Sequence, residues 1–109
     1  MATIEDFHKL DIRVGKVISV EKFTGANKPA YKMKIDFGKL GIKNSSAQLT
    51  RLYSEKDLLN RQVVAIVNFP PRQIASFISE VLVLGAISDK RDTILLAPER
   101  DAELGDKIA

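Results

Sequence analysis

From Tyr31 to Phe37 every second residue is large and apolar: Tyr31, Met33, Ile35 and Phe37 alternate with Lys32, Lys34 and Asp36. Successive side chains of an extended strand point to opposite faces, so this segment reads as a strand with one core face and one basic face. It needs partners, and the chain supplies them. Ile12, Val14, Ile18 and Val20 share one phase of a period-2 pattern, which predicts a long strand. Gly15 interrupts it, and an isolated glycine inside a strand marks a bend or bulge. Ile42 to Ala47 is a third strand, unusually polar at Asn44-Ser45-Ser46. Val63 to Val67 is apolar in both phases and reads as a strand buried on both sides. Pro70-Pro71 ends it, because proline has no N–H to give to a ladder. Phe77 to Leu84 is a fifth strand, and Thr93 to Ala97 a further one.

Short helices punctuate the strands. Thr3 with Asp6, and Ser54 with Asp57, have the spacing of capping boxes, in which paired side chains satisfy the free N–H groups of a first helical turn. Ile4, Phe7 and Leu10 fall on one side of the first helix and must bury against the barrel or a partner subunit. Many short strands with one helix between the third and fourth predict an all-β, small antiparallel barrel. The five-stranded Greek-key OB barrel is the leading candidate. A length of 109 residues suits one domain spanning 1–109, with a helical extension at 1–10 and a C-terminal extension at 86–109.

Several chemistries find no support. The chain has no cysteine and one histidine, His8, so thiolate sites, disulfides and a zinc centre are not expected. No phosphate-binding loop or dinucleotide fingerprint is present. No carboxylates pair as acid and base, and an enzyme is the least supported class. No cofactor is expected. The N-terminus lacks a basic segment followed by an apolar one, and the apolar run from Val81 to Ile87 is too short to span a bilayer; both predict a cytoplasmic protein without membrane insertion.

Charge is unevenly spread. From Lys22 to Arg51, seven basic residues stand against Asp36 alone. Such a stripe attracts phosphates or acidic peptides, or is simply a solvated lysine-rich face. A second anomaly lies between Asn68 and Gly85. A buried strand stops at two prolines, a loop with Arg72 follows, and the next apolar run contains Ser79 and Glu80. A carboxylate inside an apolar run has its reason in a sheet edge or a site. Arg72 suits a phosphate or carboxylate ligand, or an internal pair with Glu80. Asn44 and Ser46 offer hydrogen-bonding groups to a cavity, or are edge-strand polarity.

Four stretches together resemble a known family: Leu10 to Val17, Lys28 to Lys32, Ile42 to Thr50, and Asn68 to Gly85 with its Ser79-Glu80-Val81-Leu82-Val83-Leu84-Gly85. The chain is similar over essentially its whole length to the tRNA-binding barrel family, the module fused to some methionyl- and phenylalanyl-tRNA synthetases. Within that family it is most similar to the CsaA-type export-related chaperones. The resemblance implies an OB barrel, a homodimer, and a surface cavity on each subunit that takes nucleic acid in one branch and peptides in the other. It departs from the tRNA-binding branch at Ser45-Ser46, where that branch has Ser-Gly, and at Glu80-Val81, where it has Gly-Met. A carboxylate at Glu80 repels a nearby phosphate unless Arg72 neutralises it. Ser76 stands where chaperone relatives often have glycine.

The expected function is a homodimeric chaperone that binds peptides or unfolded export-bound polypeptides, with tRNA-binding capacity. The alternative is a structure-specific tRNA-binding protein. The expected ligand site comprises Lys28, Lys32, Asn44, Ser46, Arg72, Ile74, Phe77, Ser79 and Glu80. Ile74 and Phe77 would form apolar walls; Asn44, Ser46, Arg72 and Glu80 would take polar groups.

Overall fold

The computed structural model describes residues 1–109 as a mainly β molecule, a nearly closed five-strand barrel of the OB type. The strands are β1 (Ile12–Lys22), β2 (Tyr31–Asp36), β3 (Ile42–Ala47), β4 (Gln62–Ile66), β5 (Arg72–Ile74), β6 (Phe77–Ser79), β7 (Leu82–Val83), β8 (Gly85–Ile87) and β9 (Thr93–Leu95). The helices are α1 (Ile4–His8) and α2 (Glu55–Leu58), the latter between β3 and β4 as expected. The main sheet runs β3-β2-β1-β4-β7, and β5-β6 and β8-β9 form separate hairpins. No helix is long and apolar enough to cross a membrane.

The alternating strand behaves as its pattern dictates. Tyr31, Met33, Ile35 and Phe37 are at most 5% exposed and lie at the centre of the core with Val17, Leu49, Leu58, Val63, Ala65 and Val81. Both phases of β4 are buried, for two different reasons. Val63 and Ala65 face the barrel interior, whereas Val64 and Ile66 join Ile12 in a second cluster outside it, covered by Phe7, Leu10, Leu84 and Ile108. The first helix therefore packs Phe7 on its own barrel, while Ile4 stays exposed. Both capping boxes form: Thr3 Oγ1 accepts from the Asp6 N–H, and Ser54 Oγ from the Asp57 N–H.

β1 differs from the single-phase reading. Gly15 pairs regularly with Val63, and the register shift falls instead between Val17 and Ser19. The bulge at Ile18 inverts the facing of the strand. Ile12 therefore packs outside the barrel, Val17 and Val20 pack on its interior, and Ile18 is left exposed. Gly15 answers a packing demand rather than a bend. A Cβ there would lie 2.6 Å from both Ile35 Cγ2 and Phe37 Cε1, closer than any side chain tolerates.

The expected fifth strand, Phe77 to Leu84, is in fact two. β6 pairs with β5, β7 pairs with β4, and the chain turns between them at Glu80 and Val81. The turn lets Val81 enter the core while Glu80 faces β3. The last strand is shorter than expected, Thr93–Leu95. Beyond it the C-terminal segment returns to β1: the Gly105 N–H donates to Val14 O, and the Arg13 guanidinium donates to Gly105 O.

Candidate functional site

The barrel closes along β3, but only over part of its length. The Glu80 N–H donates to Asn44 O at 2.8 Å, and the Asn44 N–H donates to Glu80 Oε1 at 2.9 Å. Two residues further along β3, the Ser46 N–H donates to Ser79 Oγ at 3.2 Å. Ser45, fully buried, donates its hydroxyl to Val81 O at 3.1 Å. Because the chain turns here, side-chain oxygens of Ser79 and Glu80 stand in for the carbonyls a regular strand would present. Buried or half-buried backbone N–H groups require such partners. Asn44 Oδ1 is itself engaged, accepting from Lys34 Nζ at 3.2 Å. No ion pair joins Arg72 to Glu80.

Past Ser46 the seam opens into a groove of about 880 Å³. The β1–β2 loop supplies Ala26, Asn27, Lys28 and Ala30 to it, and the end of β3 supplies Ser46, Ala47, Gln48 and Leu49. Arg72 and Ile74 come from β5, and the opposite wall is Leu82 to Gly85, Ile87, Thr93 and Leu95, with Arg91 at the β8–β9 turn. The groove thus lies between the β1–β2 loop and the β4–β7 connection, the two loops around which OB barrels bind ligands. Neither backbone group of Gln48 is hydrogen-bonded within the chain. The wall is braced by Tyr53, whose hydroxyl accepts from the Leu95 N–H while its carbonyl accepts from the Tyr31 hydroxyl.

Of the residues singled out from the sequence, the groove gathers Lys28, Ser46, Arg72 and Ile74. Lys32 and Phe77 form an adjacent cluster. Lys32 Nζ lies 5.4 Å from the Phe23 ring centre and 5.7 Å from that of Phe77, and 3.3 Å from Glu21 Oε1. The Phe23 and Phe77 rings meet edge-on at 5.5 Å. Asn44, Ser79 and Glu80 sit in the seam and are absent from the groove lining.

The sequence reading did not single out Arg91, Leu82, Ile87 or Leu95. Arg91 lies in the charged run Asp89-Lys90-Arg91-Asp92. Its backbone adopts the left-handed conformation (φ 64°), and its N–H donates to Ser88 O while Ser88 and Asp92 pair around it. Nothing in an arginine between Lys90 and Asp92 announces that geometry. Asp92, by contrast, is mostly buried. Its Oδ1 lies 2.8 Å from Arg51 Nε, off the N–H axis, so the contact is an ion pair without an aligned hydrogen bond. No three metal-ligating side chains converge anywhere in the molecule.

Residues 12–107 match the family model described as "Putative tRNA binding domain". The chain is 39% identical over 104 residues to the methionine–tRNA ligase of Thermococcus onnurineus, and spans 95% of itself but only 14% of that enzyme's length. Among solved structures, the chaperone CsaA of Bacillus anthracis str. Ames superposes with a TM-score of 0.96 at 50% identity, over 100% of this chain and 99% of that one. The CsaA chaperone of Picrophilus torridus superposes with a TM-score of 0.94 at 56% identity, over 100% of both chains.

Proposed function

The chain belongs to the tRNA-binding domain family, and from that premise we propose that it is a homodimeric chaperone that binds peptides or unfolded, export-bound polypeptides in its surface groove, with capacity for tRNA. The observation that carries this reading is the groove itself: apolar walls for side chains, flanked by Lys28 and Arg72 for polar or charged groups. Likeness over the full chain to proteins named CsaA chaperones supports it. Within the groove Ser46 and Ile74 contact ligand directly. Lys32 and Phe77 border it, and Asn44, Ser79 and Glu80 hold the closed seam beside it. The setting is the cytoplasm.

Exposure on the C-terminal hairpin supports the homodimer. Alternation along β8 and β9 turns Gly85, Ile87, Thr93 and Leu95 to the groove. Ile94 and Leu96 then fall on the other face, still 49% and 45% exposed. Paired apolar side chains on one face are what a second subunit would cover. Sedimentation at micromolar concentration tests this, with a monomer as the contrary result.

Binding of tRNA as the principal function is the second reading. Its support is the outer face of β2, where Lys32 and Lys34 project on the side of the sheet opposite the core residues Met33 and Ile35. A competition assay separates the two. If peptide displaces tRNA, both use the groove. If tRNA binds on the β2 face alone, its affinity falls steeply with salt and peptide leaves it unchanged.

A further inference from the structure

We infer that the groove selects anionic ligands, and that its preferred occupant is an extended peptide in which apolar residues are spaced by aspartate or glutamate. This rests on the peptide-binding reading above and goes beyond it by assigning the charge of the ligand.

The cations around the groove fall into two groups. Arg51 is held by Asp92, and Lys32 by Glu21 together with the Phe23 and Phe77 rings. Both already have their counter-charge. Lys28, Arg72 and Arg91 line the groove, are exposed, and form no ion pair within the chain. The carboxylates sort the opposite way. No aspartate or glutamate lines the groove. Of the carboxylates nearest in sequence to the lining residues, Asp92 is held by Arg51 and Glu80 by the Asn44 N–H, while Asp89 at the β8–β9 turn is exposed and lies outside the lining.

The result is an apolar trough of Ile74, Leu82, Leu84, Ile87 and Leu95 bordered by positive charge of one sign. A lysine-rich peptide would bring like charges beside Arg72 and Arg91, whereas a glutamate-rich one places its carboxylates where guanidinium groups bind them best. The free backbone of Gln48, at the end of β3, gives an extended segment a strand edge to follow along the trough. A tRNA phosphate backbone would satisfy the same cations. It has nothing to place against the aliphatic wall, so the peptide is the better match.

The test uses the full chain and a series of fluorescent peptides identical except at their polar positions, with leucines spaced by glutamate, by glutamine or by lysine. Anisotropy at low salt is expected to rank them in that order. The glutamate form should bind about tenfold tighter than the glutamine form, the ratio that a few solvent-exposed ion pairs produce. R72Q/R91Q, checked for folding by circular dichroism, should bring the ranking to within about twofold, and R72E/R91E should invert it. K28Q, in a separate loop, guards against a folding artefact and should narrow the ranking by itself.

Equal binding of the three peptides, with all of them weakened by I74D, would overturn the charge preference and leave peptide binding in the groove intact. Binding of tRNA that depends on Arg72 and Arg91, with no peptide bound at all, would overturn the peptide reading and this inference together.

Discussion

Two adjoining stretches of the barrel wall meet β3 in opposite ways. At Asn44 to Ser46 the wall is shut, because Ser79 and Glu80 turn their side-chain oxygens onto the backbone of β3. At Ser46 to Leu49, a few residues on, the wall stands open and the groove begins. The closed stretch holds residues whose chemistry looks like that of a site: an amide, hydroxyls and a carboxylate inside apolar sequence. The open stretch takes its polar character from separate loops, through Lys28, Arg72 and Arg91. An unexpected polar residue in an apolar run is first a question about where its backbone neighbours find their hydrogen bonds.

The difference can be broken from either side. The largest effect is expected in the seam. Replacing Glu80 with leucine removes the acceptor for the Asn44 N–H and should lower stability by about 1–3 kcal/mol, the penalty for stranding a half-buried donor. Urea denaturation would measure this. Ser45→Ala, which deletes the buried hydroxyl bond to Val81 O, should lower stability by about 1 kcal/mol.

On the groove side the expectation reverses. R72E/R91E should change stability by no more than about 0.5 kcal/mol, as surface substitutions do, while ligand affinity changes about tenfold. If the two sides instead responded alike, with groove variants unfolding or seam variants losing only affinity, the distinction would fail.

A smaller effect separates strain from function. Ala75, in the two-residue turn of the β5–β6 hairpin, has a φ of 53°. Ala75→Gly should relieve the left-handed conformation and raise stability by roughly 0.5–1 kcal/mol, without closing the groove.

The smallest effect lies far from both regions and serves as a control. The Asp57 carboxyl in the α2 capping box is held below its ordinary range, chiefly by the Ser54 backbone N–H, then by the Ser54 hydroxyl, with Arg61 adding to the effect. A carboxylate favoured in the folded state adds stability that is fully present above the ordinary aspartate range, about pH 4, and is lost as pH falls through its lowered folded value. Asp57→Asn should flatten that acid-side loss slightly. It should leave seam and groove unaffected.

Much of the barrel was legible in the sequence. Strict alternation identified β2 and its core face, two-phase hydrophobicity identified β4, and the cap spacings located both helices. What escaped were features set by contacts distant in sequence. The bulge at Ile18 reverses the phase of β1, and the need for space over Ile35 and Phe37, not a bend, puts glycine at position 15. The expected fifth strand divides because Val81 enters the core while Glu80 serves β3.

The site was legible more unevenly. Lys28, Ser46, Arg72 and Ile74 do line one groove. Arg91 was hidden in an ordinary charged turn, and the apolar wall from Leu82 to Leu95 read only as strand. The engagement of Asn44, Ser79 and Glu80 depends on a pairing across more than thirty residues of chain.

Glu80→Gln tests the separation of seam from groove most directly. Glutamine keeps an oxygen where Glu80 Oε1 accepts from the Asn44 N–H and removes only the charge. The variant should fold as stably as the parent and bind the acidic leucine-containing peptide within about twofold of it, since the charge contributes through solvent alone. Loss of binding comparable to that of Arg72→Gln, in a variant as stable as the parent, would contradict the account and return Glu80 to the ligand site.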